Sequence, residues 1–197
     1  MTSLPPEAQG EVNELLAQFP NKRSALLMVL RVVERQFGCI DDRGMALAAE
    51  ACEVSVAHVQ GAVTFYSHYK RPHHGKHRFM VCATLMCAMG GHCDRALAQI
   101  EARLGIKPGE RTADGLFSVE KVECLADCHK PPVVQVDFTH HTCFEGAALD
   151  QFITSLLREE GKPETAYEGQ SGVKMQGRVF TLPVLHDFKQ GPAEPKA

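Results

Sequence analysis

The sequence is organised around RFMVCATLMC at residues 78–87 and FSVEKVECLADC at residues 117–128. Each segment begins with an apolar or alternating run of the kind that forms a β-strand, and each ends on a pair of cysteines. The cysteines are Cys82, Cys87, Cys124 and Cys128. Because each pair follows a predicted strand, we expect their loops to converge at the strand ends of one sheet. The sequence therefore predicts a four-thiolate site built from two loops.

The spacing of these cysteines favours an iron–sulfur site over zinc or a disulfide. Four residues separate the first pair and three separate the second, and Cys₄ ligation serves both [2Fe–2S] and [4Fe–4S] clusters. Neither pair has the C-x-x-C form of a thioredoxin redox site, and the C-x₂-C-x₂-C run of bacterial four-iron proteins is absent. The three-residue spacing also suits structural zinc, so a zinc site in an adaptor protein stays open as the competing interpretation.

The other four cysteines are interpreted as small apolar residues of the core; they are Cys39, Cys52, Cys93 and Cys143. Cys93 lies on a helical stripe with Leu97 and Ile100, which places it inside. Two histidines, His92 and His129, flank the cysteine loops, where a side chain can act on a metal site through its ligands. The sequence leaves the roles of these two histidines open.

The chain divides into three parts by pattern. Residues 1–72 carry apolar residues at helical spacing and predict a small helical bundle that docks a partner. Residues 77–160 combine predicted strands and helices and predict a compact α/β (α+β) domain. Residues 161–197 lack such periodicity and predict an extended C-terminal tail. We expect the apolar segment at residues 179–185 to fold back on its own domain or, by preference, to dock on a partner.

Capping residues mark helix boundaries within residues 1–72. The side chains that suit a helix start are Asn21 or Ser24, Asp41 or Asp42, and Ser55. Gly38 is expected to end the helix whose apolar face carries Leu26, Leu30, Val33 and Phe37. The bundle is therefore expected to consist of short helices with brief connections.

Composition places the chain among globular proteins. It has 197 residues, of which 44% are hydrophobic and 23% charged, and a net charge of −3. We expect no nucleic-acid binding, because no cluster of lysine and arginine stands out and tryptophan is absent. We expect no membrane span, since the longest apolar run, residues 25–30, is far shorter than the ~20 residues that a span needs. The first residues do not read as a signal peptide, so we expect a reducing, cytoplasmic compartment in which the eight cysteines form no disulfides.

Several motifs together resemble one family. They are VTFYS at residues 63–67, VCATLMC at 81–87, LGIKPGERTADGLFSVEKVECLADC at 104–128 and PVVQV at 132–136. Over about residues 10–160 the sequence resembles the NuoE-type subunit of respiratory complex I, an NADH:quinone oxidoreductase. The same module occurs in NAD-linked hydrogenases and formate dehydrogenases.

The resemblance implies a fold and a cofactor. The second domain is expected to be thioredoxin-like, with a cis peptide before Pro132. One [2Fe–2S] cluster is expected there, and its implied ligands are Cys82, Cys87, Cys124 and Cys128. Met86 stands where the family usually has proline, residues 125–127 include no glycine where the family usually has one, and Pro131 replaces the commoner alanine. None of these departures removes a ligand, but each changes loop polarity or backbone freedom, so we expect an altered cluster potential.

The resemblance also implies a role, that of an electron-transfer subunit with no substrate site of its own. Its cluster is expected to exchange single electrons with FMN in a neighbouring flavoprotein subunit, which binds both FMN and NADH. A further iron–sulfur subunit of the same complex is the other implied partner. The implied location is the cytoplasmic, peripheral arm of an inner-membrane-associated complex. The equivalent subunit of a hydrogenase or formate dehydrogenase and a free-standing thioredoxin-like ferredoxin are the alternatives.

Overall fold

The computed structural model describes residues 3–175, and the chain forms two compact units that divide between His74 and Gly75. The helices are Pro6–Ala17 (α1), Leu26–Phe37 (α2), Asp42–Cys52 (α3), Val56–Phe65 (α4), Leu85–Ala88 (α5), His92–Leu104 (α6) and Ala147–Glu159 (α7). The strands are His77–Cys82 (β1), Glu110–Arg111 (β2), Phe117–Val122 (β3), Val133–Val136 (β4), Thr139–Thr142 (β5) and Val173–Lys174 (β6). The predicted order of a helical region followed by an α/β domain is confirmed. Within residues 3–175, no helix is long and apolar enough to cross a membrane.

Side-chain caps begin helices of the N-terminal unit. The carboxylate of Asp41 accepts a hydrogen bond from the N–H of Gly44 at 2.7 Å, at the start of α3. Ser55 Oγ accepts from the N–H three residues on at 3.2 Å, at the start of α4. Asn21 caps a short 3₁₀ turn that precedes α2. The predicted starts at Asp41 and Ser55 are confirmed, and Gly38, in the left-handed conformation, ends α2 as predicted.

The core of the N-terminal unit forms around α2. Val29, Leu30 and Val33 on one face of this helix are 0% exposed. They belong to one apolar cluster with Val12 of α1 and Ala48 of α3. Full burial of an aliphatic side chain contributes about 1.5–3 kcal/mol, so this face of α2 holds the helices of the unit together.

The second unit is built on a mixed six-stranded sheet in the order β5-β4-β1-β3-β2-β6. Strands β1 and β3 are parallel, with Cys82 opposite Val122. Parallel neighbours need a crossover connection, and α6 lies in the segment between them. The carboxyl ends of β1 and β3 therefore lie at the same end of the sheet.

The two faces of this sheet bury different types of side chain. Phe79 of β1 lies on the face that packs against α6 and α7, whose Ile100 and Ile153 are fully buried in the same cluster. On the opposite face, Arg78 donates two hydrogen bonds to Oε2 of Glu120 on β3, at 3.0 and 2.5 Å. Both side chains are buried, so the contact between them compensates two charges that lie away from water.

The described part of the expected tail packs on the second unit. Strand β6 pairs with β2, and the N–H of Gly172 donates to the carbonyl of Gly105 at 2.8 Å. Tyr167 is buried in the core cluster, and its hydroxyl donates to Asp114 at 2.8 Å. The sheet therefore continues past residue 160, where we expected the domain to end. Isolated contacts of this kind leave no periodic pattern in the sequence, so the pattern did not predict them. The apolar segment at residues 179–185 lies outside the described residues.

Candidate metal centre

Strands β1 and β3 carry the two cysteine pairs to one end of the sheet. Cys82 is the last residue of β1 and lies opposite Val122, the last residue of β3. Cys124 follows Val122 by two residues. Cys87 lies in α5, a single helical turn, and Cys128 lies in the loop that leads to β4. The structure thus brings together all four cysteines that the sequence predicted to form a site.

The first pair is buried in an apolar pocket. Cys82 and Cys87 are 2% and 1% exposed, and Sγ of Cys82 lies 3.2 Å from Oγ1 of Thr84. The residues that cluster with this pair are Met80, Val122, Leu125 and Val133. Such a lining excludes water and strengthens electrostatic interactions inside the pocket.

The second pair is more open to solvent. Cys124 is exposed and Cys128 is partly buried, and their sulfur atoms are 3.6 Å apart. The N–H of Ala126 donates to Sγ of Cys124 at 3.3 Å. Ala126 has a φ of 63°, a left-handed conformation that costs a non-glycine residue about 1–2 kcal/mol. This loop therefore keeps a strained backbone that directs an N–H toward sulfur, although it lacks the glycine that is usual in the family.

Burial and neighbouring groups shift the pKa of three of these cysteines, Cys87, Cys124 and Cys128. Burial raises the pKa of Cys87 to about 11, although the N–H of Val133 donates to its sulfur and opposes the rise. Hydrogen bonding with Cys124 raises the pKa of Cys128, while the N–H of Ala126 lowers the pKa of Cys124. Four thiolates so close together need a compensating positive charge, since like charges in one pocket repel. A metal centre supplies that charge, so the donor set fits one.

The spread of the sulfur atoms fits a dinuclear centre better than a single zinc ion. In a tetrahedral zinc site any two sulfur atoms are ~3.8 Å apart, because each lies ~2.3 Å from the metal. Among residues 3–175, no three of these cysteine sulfur atoms all lie within 4.8 Å of one another. Two iron atoms with two thiolate ligands each need this wider arrangement.

The other four cysteines differ in burial. Cys52 and Cys93 are buried, as predicted, and burial raises the pKa of Cys93 to about 11. Cys39 is only partly buried. Cys143 is exposed and has a φ of 51°, so the prediction that it fills the core is wrong. It lies just beyond the end of β5, where the alternation between the two faces of the strand stops.

The two histidines beside the cysteine loops have different contacts. His92 begins α6, and its Nδ1 lies 2.7 Å from Nη2 of Arg95 and 3.3 Å from Oε1 of Glu145. His129 is exposed, and its Nδ1 lies 2.8 Å from Oδ1 of Asp127. The sequence did not point to Arg95 or Glu145, because the two are 50 residues apart in the chain and share no local pattern.

The fold and the grouped thiols are those of a thioredoxin-like domain with a candidate metal site. Its mixed sheet packs helices on one face, and the peptide between Pro131 and Pro132 is cis, as hypothesised. The chain belongs to the thioredoxin-like [2Fe–2S] ferredoxin family, a model of which matches residues 12–157.

The relatives of this chain confirm the resemblance found in its sequence. It is 35% identical over 169 residues to NADH-quinone oxidoreductase subunit 2 of Thermus thermophilus, an alignment that covers 84% of this chain and 93% of that protein. It is also 35% identical over 133 residues to an NADH-quinone oxidoreductase subunit of Aquifex aeolicus, covering 68% of this chain and 82% of that protein.

Solved structures show the same fold in a larger protein. The crystal structure of NAD⁺-reducing [NiFe]-hydrogenase in the H₂-reduced state matches 70% of this chain with a TM-score of 0.55 and 17% identity. The match spans only 24% of that hydrogenase chain. At this identity the similarity concerns the fold alone.

Proposed function

We propose that this chain is the electron-transfer subunit of an NADH:quinone oxidoreductase and holds one [2Fe–2S] cluster. The proposed ligands are Cys82, Cys87, Cys124 and Cys128. The observation that carries the proposal is the meeting of these four side chains at the carboxyl ends of β1 and β3, in a chain of this family. FMN and NADH are bound by a neighbouring flavoprotein subunit and not by this chain, and single electrons pass between that FMN and this site.

The protein provides the surroundings of the cluster, which supplies reversible one-electron chemistry when bound. The pocket around Cys82 and Cys87 excludes water, and burial favours the less negatively charged state of the site. The N–H groups of Ala126 and Val133 donate to cysteine sulfur atoms and favour the more negatively charged state. The balance between burial and these donors determines how readily the site accepts an electron.

One side of the site is open to a partner protein. Leu85, Met86 and Met89 are 67%, 46% and 57% exposed, and Cys124 of the other loop is exposed as well. Exposed apolar side chains grouped beside a site are typical of a protein–protein contact. This surface supports the flavoprotein subunit as the direct partner. An iron–sulfur subunit of the same complex is the further partner, and residues 1–72 provide a docking module. The proposed location of the chain is the cytoplasmic, peripheral arm of an inner-membrane-associated complex.

A hydrogenase or formate dehydrogenase assembly is the second candidate. The shared fold with NAD⁺-reducing [NiFe]-hydrogenase favours it, whereas both 35% identical relatives belong to NADH-quinone oxidoreductases. Purification of the tagged chain from its native cells, with mass analysis of bound subunits, separates the candidates. We expect an FMN-containing subunit and further iron–sulfur subunits without a hydrogenase or formate dehydrogenase subunit. Recovery of the chain alone would favour a free-standing ferredoxin.

Spectroscopy of the purified chain tests the cluster itself. The protein should absorb visible light, bleach on addition of dithionite and give an EPR signal in the reduced state. Replacement by Ala of any one proposed ligand (Cys82, Cys87, Cys124 or Cys128) should abolish or strongly weaken that signal. The matched controls Cys93→Ala and Cys143→Ala should retain it. A colourless, EPR-silent protein that contains zinc would overturn the proposal.

A further inference from the structure

The loop that carries Cys87 is fastened to α6 by one arginine. Gly90 and Gly91 turn the chain from α5 into α6 with φ values of 71° and 72°. Nη1 of Arg95 donates to the carbonyl of Gly90 at 2.5 Å. Two left-handed glycines in succession give a backbone with wide conformational freedom, so this side-chain contact restricts a turn that its own residues do not stiffen.

The same arginine reaches a second loop through a carboxylate. Nε of Arg95 donates to Oε2 of Glu145 at 2.9 Å, and Nη2 donates to Oε1 at 3.1 Å, which makes a bidentate pair. Gln99, also on α6, donates to the carbonyl of Gly146 at 2.6 Å and accepts from its N–H at 2.7 Å. Residues 145–146 are thus held on α6 by two side chains.

Residues next to Glu145 are bonded to the segment that follows Cys128. The N–H of Cys143 donates to the carbonyl of Lys130 at 3.0 Å, and the N–H of Phe144 donates to the carbonyl of Pro132 at 3.2 Å. Hydrogen bonds through Arg95 and Glu145, continued by the backbone of residues 143–145, therefore connect the turn after Cys87 to the segment after Cys128. They connect the two cysteine loops away from the sulfur atoms themselves.

We propose that Arg95 and Glu145 are positioning residues that hold the two cysteine loops at the separation a bound cluster requires. This inference rests on the proposed function, because it takes Cys87 and Cys128 as ligands. Arg95 bonds to a backbone carbonyl and a carboxylate, and it acts by limiting how far the two loops move apart. Nδ1 of His92 lies within 3.3 Å of both partners, so it is the third group of this network.

The partial exposure of the Arg95–Glu145 pair distinguishes a positioning role from a contribution to global stability. The side chains of Arg95 and Glu145 are 52% and 28% exposed, and ion pairs at the surface contribute little to global stability. Loss of the pair should therefore leave global unfolding almost unchanged. Transient opening of the two loops should become more frequent, and a cluster is released from the open state.

The test uses the full chain loaded with its cluster, in the variants Arg95→Gln and Glu145→Gln. Arg158→Gln is the matched control, because Arg158 pairs with Glu164 at 2.8 Å on the surface and is 72% exposed. The rate of cluster release to an iron chelator is followed by visible absorbance, and unfolding in guanidinium is measured on the same samples. We expect release to accelerate about fivefold in both variants, while the unfolding midpoints stay unchanged and the control variant releases its cluster at the parent rate.

Two further readouts make the outcome decisive. The double variant Arg95→Gln/Glu145→Gln should release its cluster at the rate of either single variant, because both remove the same link. The EPR spectrum of the reduced variants should broaden relative to the control if the ligand geometry loosens. Release at the parent rate with an unchanged spectrum would overturn this inference and leave the proposed function intact. A parent protein that binds no cluster would overturn the proposed function, and this inference with it.

Discussion

Nδ1 of His77 lies 2.5 Å from Oδ2 of Asp137, which joins the first residue of β1 to the turn between β4 and β5. Nε2 of the same ring lies 3.1 Å from Oε1 of Glu160, at the end of α7, and Lys76 pairs with that carboxylate at 2.6 Å. The ring also stacks on Phe117 with 5.6 Å between centroids. One imidazole therefore connects a strand, a turn and a helix.

Stability should fall as this histidine loses its proton. The hydrogen bond with Asp137 raises the pKa of His77 above its ordinary value; burial opposes the rise, and Glu160 adds to it. A raised pKa in the folded state stabilises the protein fully below the ordinary histidine pKa of ~6.5, and this contribution is lost as pH rises through the folded value. In guanidinium unfolding between about pH 5.5 and about pH 9, the parent should lose more stability than His77→Gln. Equal slopes in the parent and in His77→Gln would contradict the assignment.

Asp114 should hold residues 161–175 on the rest of the second unit. Burial opposes its charge, but hydrogen bonds from Lys162, Thr112, the N–H of Leu116 and Tyr167 outweigh burial and lower the pKa of Asp114. Asp114→Ala should reduce the free energy of unfolding by about 1.5–3 kcal/mol, the range for hydrogen bonds to a charged group.

Limited proteolysis measures the local part of that effect. Trypsin should cleave after Lys174 faster in Asp114→Ala than in the parent, whereas the bond after Lys162 resists trypsin in both because Pro163 follows it. Asp94→Ala is the control, since Asp94 is 81% exposed and lies 3.8 Å from its partner Lys121. Identical cleavage patterns in the two variants would show that Asp114 does not hold this segment.

Replacement of two glycines by alanine should change the stability of the protein in opposite directions. A Cβ at Gly75 would lie 2.6 Å from the carbonyl carbon of Phe117 and 2.7 Å from the nitrogen of Ser118, both backbone atoms of β3. Gly75→Ala should therefore destabilise the protein by about 1–3 kcal/mol, as overpacking does. Gly61 lies within α4 and has no atom within 4 Å of the corresponding position, so Gly61→Ala should stabilise by about 0.5–1 kcal/mol. Thermal unfolding of both variants checks the sign, and a stabilised Gly75→Ala would disprove the packing argument.

Alkylation of cysteines should report which sulfur atoms hold the cluster. In the cluster-free chain, exposed Cys124 and Cys143 should react first, while buried Cys87 and Cys93, whose pKa values are raised to about 11, should react slowly. Loading with the cluster should protect Cys124 and leave Cys143 reactive. Peptide mass analysis after brief treatment with iodoacetamide gives the extent at each site. Protection of Cys143 in place of Cys124 would show that the proposed ligand set is wrong.

Features that depend on neighbouring residues are predictable from this sequence. Asp41 and Ser55 bond to N–H groups three residues on, so each leaves a short recognisable signal. Cys82 and Cys124 follow apolar runs that form parallel strands, and this is enough to predict that the thiols meet at one end of a sheet. The fold class and the grouping of the four cysteines could both be predicted for this reason.

Features that depend on distant residues are not predictable in this way. Arg95 and Glu145 meet across 50 residues, and Tyr167 and Asp114 meet across 53, without any periodic pattern. Strands β2 and β6 have two residues each, too few to show alternation. Cys143 lies one residue past the end of β5, where the inside–outside alternation of a strand no longer applies, so its exposure does not follow from its sequence neighbours.

His77 begins β1 and Cys82 ends it. Five steps of ~3.3 Å along an extended strand place the two ends ~16 Å apart. In one medium, a charge at ~16 Å acts on a thiolate with about a quarter of the Coulomb energy that it has at ~4 Å. Substitutions around His77 should therefore disturb the thiolate site less than substitutions beside the cysteines, so durability and redox tuning can be addressed at opposite ends of one strand.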